Sequence, residues 1–96
     1  MTLSDAIGQI DSLGRGEVIC ARQPWSPASD AVVVPLTDQM RVPAPVLAQG
    51  YKYFLEVTVA REVLEALRGS DARDAKKRVE LVLFYAENDA YPDWVG

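Results

Sequence analysis

Between Asp71 and Asn88 the chain reads DARDAKKRVELVLFYAEN, and whether this is one helix or ends in a strand sets the architecture. Taken alone, VELVLFY (residues 79–85) is strand-forming sequence, rich in β-branched and aromatic residues. Its surroundings argue for a helix. Ser70 or Asp71 can cap it, Asp74 suits its first turn, and Ala75, Val79, Val82, Leu83 and Ala86 recur on one face. With the Ala-Lys-Lys-Arg run inside it and Asn88 as a stop, one continuous helix from about 71 to 87 is expected.

Upstream, Lys52 to Val57 (KYFLEV) alternates, with Tyr53, Leu55 and Val57 on one face and Lys52, Phe54 and Glu56 on the other. Thr58 is then expected to cap a helix carrying Val59, Ala60, Val63, Leu64 and Leu67 on one stripe and closing at Arg68-Gly69, with Arg61 and Glu65 on its exposed side. Glu17–Arg22 and Asp30–Leu36 read as strands, and Pro24 and Pro27 make the link between them a loop. Pro35 lacks an amide donor, which places the second strand's end at a sheet edge. Residues 37–50 are irregular, with Pro43 and Pro45 and room for one helical turn over Val46–Gln49. At the start, Leu3, Ala6, Ile7, Ile10 and Leu13 recur at helical spacing, with Thr2 or Ser4 available as N-cap and Gly14 and Gly16 as terminators. The predicted order is α-β-β-β-α-α. It implies an α+β fold with a small, mostly antiparallel three-stranded sheet and helices packed on one face, in a single domain over residues 1–96.

Charge is distributed unevenly. All ten bases lie at or before Arg78, whereas four of the fourteen acids (Glu80, Glu87, Asp89 and Asp93) follow it, so the net charge of −4 belongs to the last stretch. An acidic balance argues against sequence-independent nucleic-acid binding and against anionic membrane surfaces. No run approaches the roughly 18 apolar residues of a membrane span, and MTLSDAIGQI lacks the basic and apolar regions of a signal peptide, so a cytoplasmic address is expected.

Much chemistry is excluded by composition. The chain has no histidine and one cysteine, so neither a Ser-His-Asp triad, a Cys-His pair, a thiolate zinc site nor a CxxC redox pair can be built. No glycine-rich phosphate loop is present, and no cofactor is implied. Cys20, in a strand, reads as a small buried apolar residue. The carboxylates Glu87, Asp89 and Asp93 remain as possible cation ligands or acid/base groups, although their spacing does not fit a calcium loop. They can equally be solvated charges around a helix stop. Trp25, in the PWSP loop, either covers the open edge of the core or is an exposed anchor.

The acids of the last stretch alternate with rings. Tyr85, Glu87, Asp89, Tyr91, Asp93 and Trp94 together suit a basic protein partner, because complementary charge steers encounter while Tyr and Trp supply contact area. These six are the candidate partner-binding residues. No reading of the residues assigns a reaction, and a non-enzymatic binding protein is expected.

The loop tryptophan, VPAPVLAQGYKYFLEV (42–57), TVAREVLEAL (58–67) and LVLFYAENDAYPDW (81–94) resemble a family of small bacterial domains of unknown function. Its members combine a tryptophan loop, a G-x-x-Y-x-L strand, a valine-bearing helix and a last helix closing on Y-x-x-N-D-A-[FY]. The matching residues are Trp25, Gly50, Tyr53, Leu55, Val59, Tyr85, Asn88, Asp89, Ala90 and Tyr91. The chain departs from the pattern between the second and third strands, where the family is acidic and only Asp38 remains here, beside Arg41. Such domains are similar to the cytoplasmic immunity proteins of contact-dependent inhibition and other polymorphic-toxin systems. The resemblance implies that the partner is a cognate toxin domain, commonly a nuclease with a basic cleft, neutralised by occlusion. A general interaction module of a cytoplasmic regulatory complex is the alternative.

Overall fold

Glu17–Ala21 (β1), apolar on both faces, is the middle strand of an antiparallel sheet of order β2-β1-β3, flanked by Ala31–Pro35 (β2) and Lys52–Glu56 (β3). The computed structural model describes residues 1–95. Four α-helices complete it: Leu3–Gly8 (α1), Ala44–Ala48 (α2), Val57–Leu64 (α3) and Ala75–Asn88 (α4), with 3-10 turns at Ile10–Ser12 and Gly69–Arg73. The α+β class and the three-stranded sheet agree with the sequence reading, and α2 is the one helix added to the expected order. Among the described residues no helix is long and apolar enough to cross a membrane.

One core sits between the sheet and its helices. Ile19 and Ala21 point into it, in one cluster with Leu3 and Ile7 from α1, Val57 and Val63 from α3, and Leu81 and Val82 from α4. Each such side chain contributes about 1.5–3 kcal/mol when fully buried. Helix α4 packs chiefly on α1 and α3, so it lies one tier further from the sheet than they do. Val18 and Cys20 alternate to the opposite side of β1 and are also fully buried, beside Val34 and Val32 of β2.

Several local expectations are corrected. Strand β3 does not alternate cleanly, because a bulge lets Leu55 pair with Ile19 and Tyr53 with Cys20, skipping Phe54. Phe54 and Leu55 are therefore both buried, while Tyr53 lies on the far side with Cys20. Thr58 is inside α3 and not its cap; Glu56 holds that position without a side-chain bond. Arg61 does not face solvent beside Glu65. Its Nη2 donates to the carbonyls of Ile10 (3.0 Å) and Leu13, tying α3 to the turn after α1.

The last helix also starts later than expected. Asp74, not Ser70 or Asp71, caps α4, accepting from the amides of Lys76 (2.9 Å) and Lys77 (3.2 Å). VELVLFY is helical throughout, since its residues complete the buried side of a long amphipathic helix. The N-cap of α1 is Thr2, in a reciprocal box with Asp5: each accepts the other's backbone amide, at 3.1 and 3.0 Å. Trp25 covers the core edge. Its ring stands edge-on to Phe54 with centroids 4.9 Å apart, and its Nε1 donates to the Ala21 carbonyl at 3.3 Å.

Candidate partner-binding surface

Helix α4 ends where Asp89 adopts the left-handed conformation (φ 51°) and donates its amide to the Tyr85 carbonyl at 2.8 Å. Sequence reasoning placed the stop at Asn88. That residue is instead the last of the helix, and its side-chain amide donates to the Phe84 carbonyl at 2.9 Å. A left-handed residue at this position reverses the chain and satisfies a terminal carbonyl.

The reversal sends the acidic tail back along α4. Tyr91 meets Tyr85, with ring centroids 5.3 Å apart and planes tilted by 60°. Pro92 is buried, and Trp94 reaches Lys77, whose ammonium lies 4.8 Å from the ring centroid. Lys77 and Tyr85 are about 12 Å apart along a helix axis, and three extended residues cover about 10 Å, so the two contacts are geometrically consistent. Val95 packs against the core, and together with Trp94 it borders a shallow cavity of about 270 Å³ with Leu67, Arg68 and Asp71. Leu81, one helical turn from both Lys77 and Tyr85, is fully buried.

The six candidate residues therefore do not form one patch. Glu87, Asp89 and Tyr91 crowd the reversal, with Tyr85 half-buried below. Asp93 and Trp94 are drawn toward the helix start, beside a base. All three candidate carboxylates are exposed, and none forms an ion pair; the single pair among the described residues is Arg22–Asp30 at 4.0 Å. Among the described residues no group of three or more acidic or cysteine side chains is placed to hold a metal ion, so Glu87, Asp89 and Asp93 are not brought together as ligands.

Two exposed residues of this region, Glu80 and Phe84, belong to the acidic, aromatic stretch but lie outside the six candidates. Phe84 is 38% exposed, and Glu80 lies on the same outward side of α4. Their helical spacing with Glu87 was the available signal: Glu80, Phe84 and Glu87 recur at i, i+4 and i+7. Tyr91 and Trp94 are 47% and 41% exposed, so exposed rings stand both at the reversal and along the strap.

Cys20 is fully buried, and burial pushes its thiol pKa up, away from the thiolate that reacts. Comparison of the chain with family models, with curated proteins and with solved structures found no match.

Proposed function

We propose that the chain is a non-enzymatic immunity protein of the bacterial cytoplasm, binding one cognate toxin domain and occluding its basic active-site cleft. A nuclease fits best as that toxin, since a cleft that holds phosphates must be basic and its electrostatic complement is acidic. The observation that carries the reading is the end of α4. Glu87 in its last turn and Asp89 at its cap put negative charge at the negative pole of the helix dipole, with no cation paired to either. Such charges cost stability in the free protein. Tyr91 stands beside them and Phe84 one turn back, so carboxylates can steer a basic partner while rings slow its release. The family resemblance adds the toxin as the partner.

Growth rescue tests the proposal. The C-terminal domain encoded by the gene immediately upstream is expressed in a susceptible cell with and without this chain, and viable cells are counted. Death reversed by the chain, together with a one-to-one complex of the purified proteins, is expected. A harmless upstream product, or killing that the chain does not reverse, sinks the toxin pairing and leaves the general interaction module as the reading to pursue.

A further inference from the structure

Between α1 and the start of α4, beside the 3-10 turn at Gly69–Arg73, lies a cavity of about 360 Å³. That volume falls within the range of small-molecule sites. Ile7, Ala72, Ala75 and Val79 line it with apolar surface, and among the described residues Arg73 and Arg78 are its only charged side chains. Arg78 is half-buried and held in place. Its Nη1 donates to the Ala72 carbonyl at 3.1 Å, which leaves its other donors open. Neither arginine pairs with a carboxylate among the described residues, where the single ion pair is Arg22–Asp30.

The acids nearest in sequence serve other places. Asp74 accepts from the amides of Lys76 and Lys77, and Asp71 borders the separate cavity beside Trp94. Asp11 and Glu65 border an adjoining space with Arg61 and Arg78, and Glu80 borders another with Lys76, so both of those spaces are mixed in sign. Only the middle cavity is lined by bases alone. Gly8 is an independent observation. It borders the same cavity, and a methyl group added there would meet nothing within 4 Å. Glycine weakens a helix relative to alanine, so α1 gives up stability where its own packing does not call for a glycine. A wall without a side chain keeps the space open.

The geometry points to a binding site for a small organic carboxylate that carries an apolar chain of about five carbons. Arg73 and Arg78 take the carboxylate through charge-assisted hydrogen bonds, which suit its planar pair of oxygens. The chain lies over Ile7 and Val79 and removes their exposed surface from water. A bare inorganic anion would satisfy the guanidiniums and leave that apolar lining wet. The site is separate from the toxin reading, since none of the six candidate partner-binding residues lines it.

The test is a titration of the full chain, labelled with 15N, with hexanoate. Controls are 1-hexanol, hexylammonium, acetate and inorganic phosphate. Saturable amide shifts at Gly8, Ala72, Ala75 and Val79 are expected, with a dissociation constant on the order of 1 mM or below. Each control should bind at least about tenfold more weakly. Arg73→Gln, a change at an exposed residue, or Arg78→Gln, each checked for native circular dichroism, should weaken hexanoate by a similar factor of about ten. Shifts that fail to saturate by about 20 mM, that fall away from the cavity, or that hexylammonium reproduces would each overturn the site. So would undiminished hexanoate binding to both variants. Acetate or phosphate binding as tightly as hexanoate would overturn the assignment to a carboxylate with an apolar chain.

Discussion

The Lys77 ammonium lies 4.8 Å from the centroid of the Trp94 ring, so a base from the first turn of α4 holds an aromatic of the acidic tail. Such a contact contributes about 0.5–1 kcal/mol at an exposed site. Together with the Tyr85–Tyr91 contact it pins both ends of the strap.

Lys77→Gln should therefore loosen the tail without unfolding the domain. The expected loss of stability is about 1 kcal/mol or less, and acrylamide should quench tryptophan fluorescence more strongly than in the unaltered chain. Trp25 contributes a constant background, because its ring packs on Phe54 at 4.9 Å, far along the chain from Lys77. Unchanged quenching would show that the cation does not hold the tail.

Trp25 behaves as a core residue in this structure, not as an anchor. Trp25→Ala removes a half-buried ring and its bond to the Ala21 carbonyl, and should cost about 2–4 kcal/mol in urea unfolding. Trp25→Phe keeps an edge contact with Phe54 and should cost about half as much. Binding to the partner, measured where both variants remain folded, should be unaltered. A large loss of affinity with little loss of stability would return Trp25 to the interface.

The Thr2–Asp5 box makes stability sensitive to acid. Hydrogen bonding to Thr2, chiefly from its backbone amide and secondarily with its side chain, holds the Asp5 carboxyl below its usual pKa. Because the folded value is the lower one, the stabilisation is present above the unfolded pKa and is lost as pH falls through the folded one. Asp5→Asn should thus melt below the unaltered chain at neutral pH, and the gap should close as pH falls through the carboxylate range. A gap that is constant across the pH series would mean that the box does not depend on the ionised carboxylate. Thr2→Ala, which removes the other half, should cost about 1 kcal/mol.

What the sequence revealed and what it hid have physical reasons. Periodicity from Ala75 to Ala86 exposed α4, and Val79 and Val82 of its buried face, but missed the fully buried Leu81 and included the exposed Ala75; the context outweighs the strand propensity of residues 79–85. The bulge at Phe54 was invisible, because one extra residue on β3 depends on how Ile19 and Leu55 meet across the sheet. Arg61 was misplaced for a similar reason. A charged residue beside an apolar stripe reads as exposed, yet the open carbonyls of Ile10 and Leu13 exist only after the first helix has packed on α3. The candidate site was legible as a composition of acids and rings. Its division into a reversal and a strap was not, because that follows from the left-handed turn at Asp89 and from Lys77.

Glu87 and Asp89 offer the sharpest test of whether the end of α4 was shaped by a partner. Glu87 opposes the helix dipole, so Glu87→Lys should stabilise the free protein by about 0.5 kcal/mol at low ionic strength, with the gain fading in salt. Asp89 sits at φ 51°, a conformation that suits glycine, and Asp89→Gly should add up to about 1 kcal/mol. If these residues serve only the fold, more stable variants should function as well as the unaltered chain. If they meet a basic cleft, each stabilising change should slow association with the partner and flatten its dependence on salt. Paired thermal melts and stopped-flow association rates separate the two cases. Higher melting temperatures with undiminished association would remove these carboxylates from the interface, whereas higher stability with slower binding marks them as charges held for a partner against the interest of the helix.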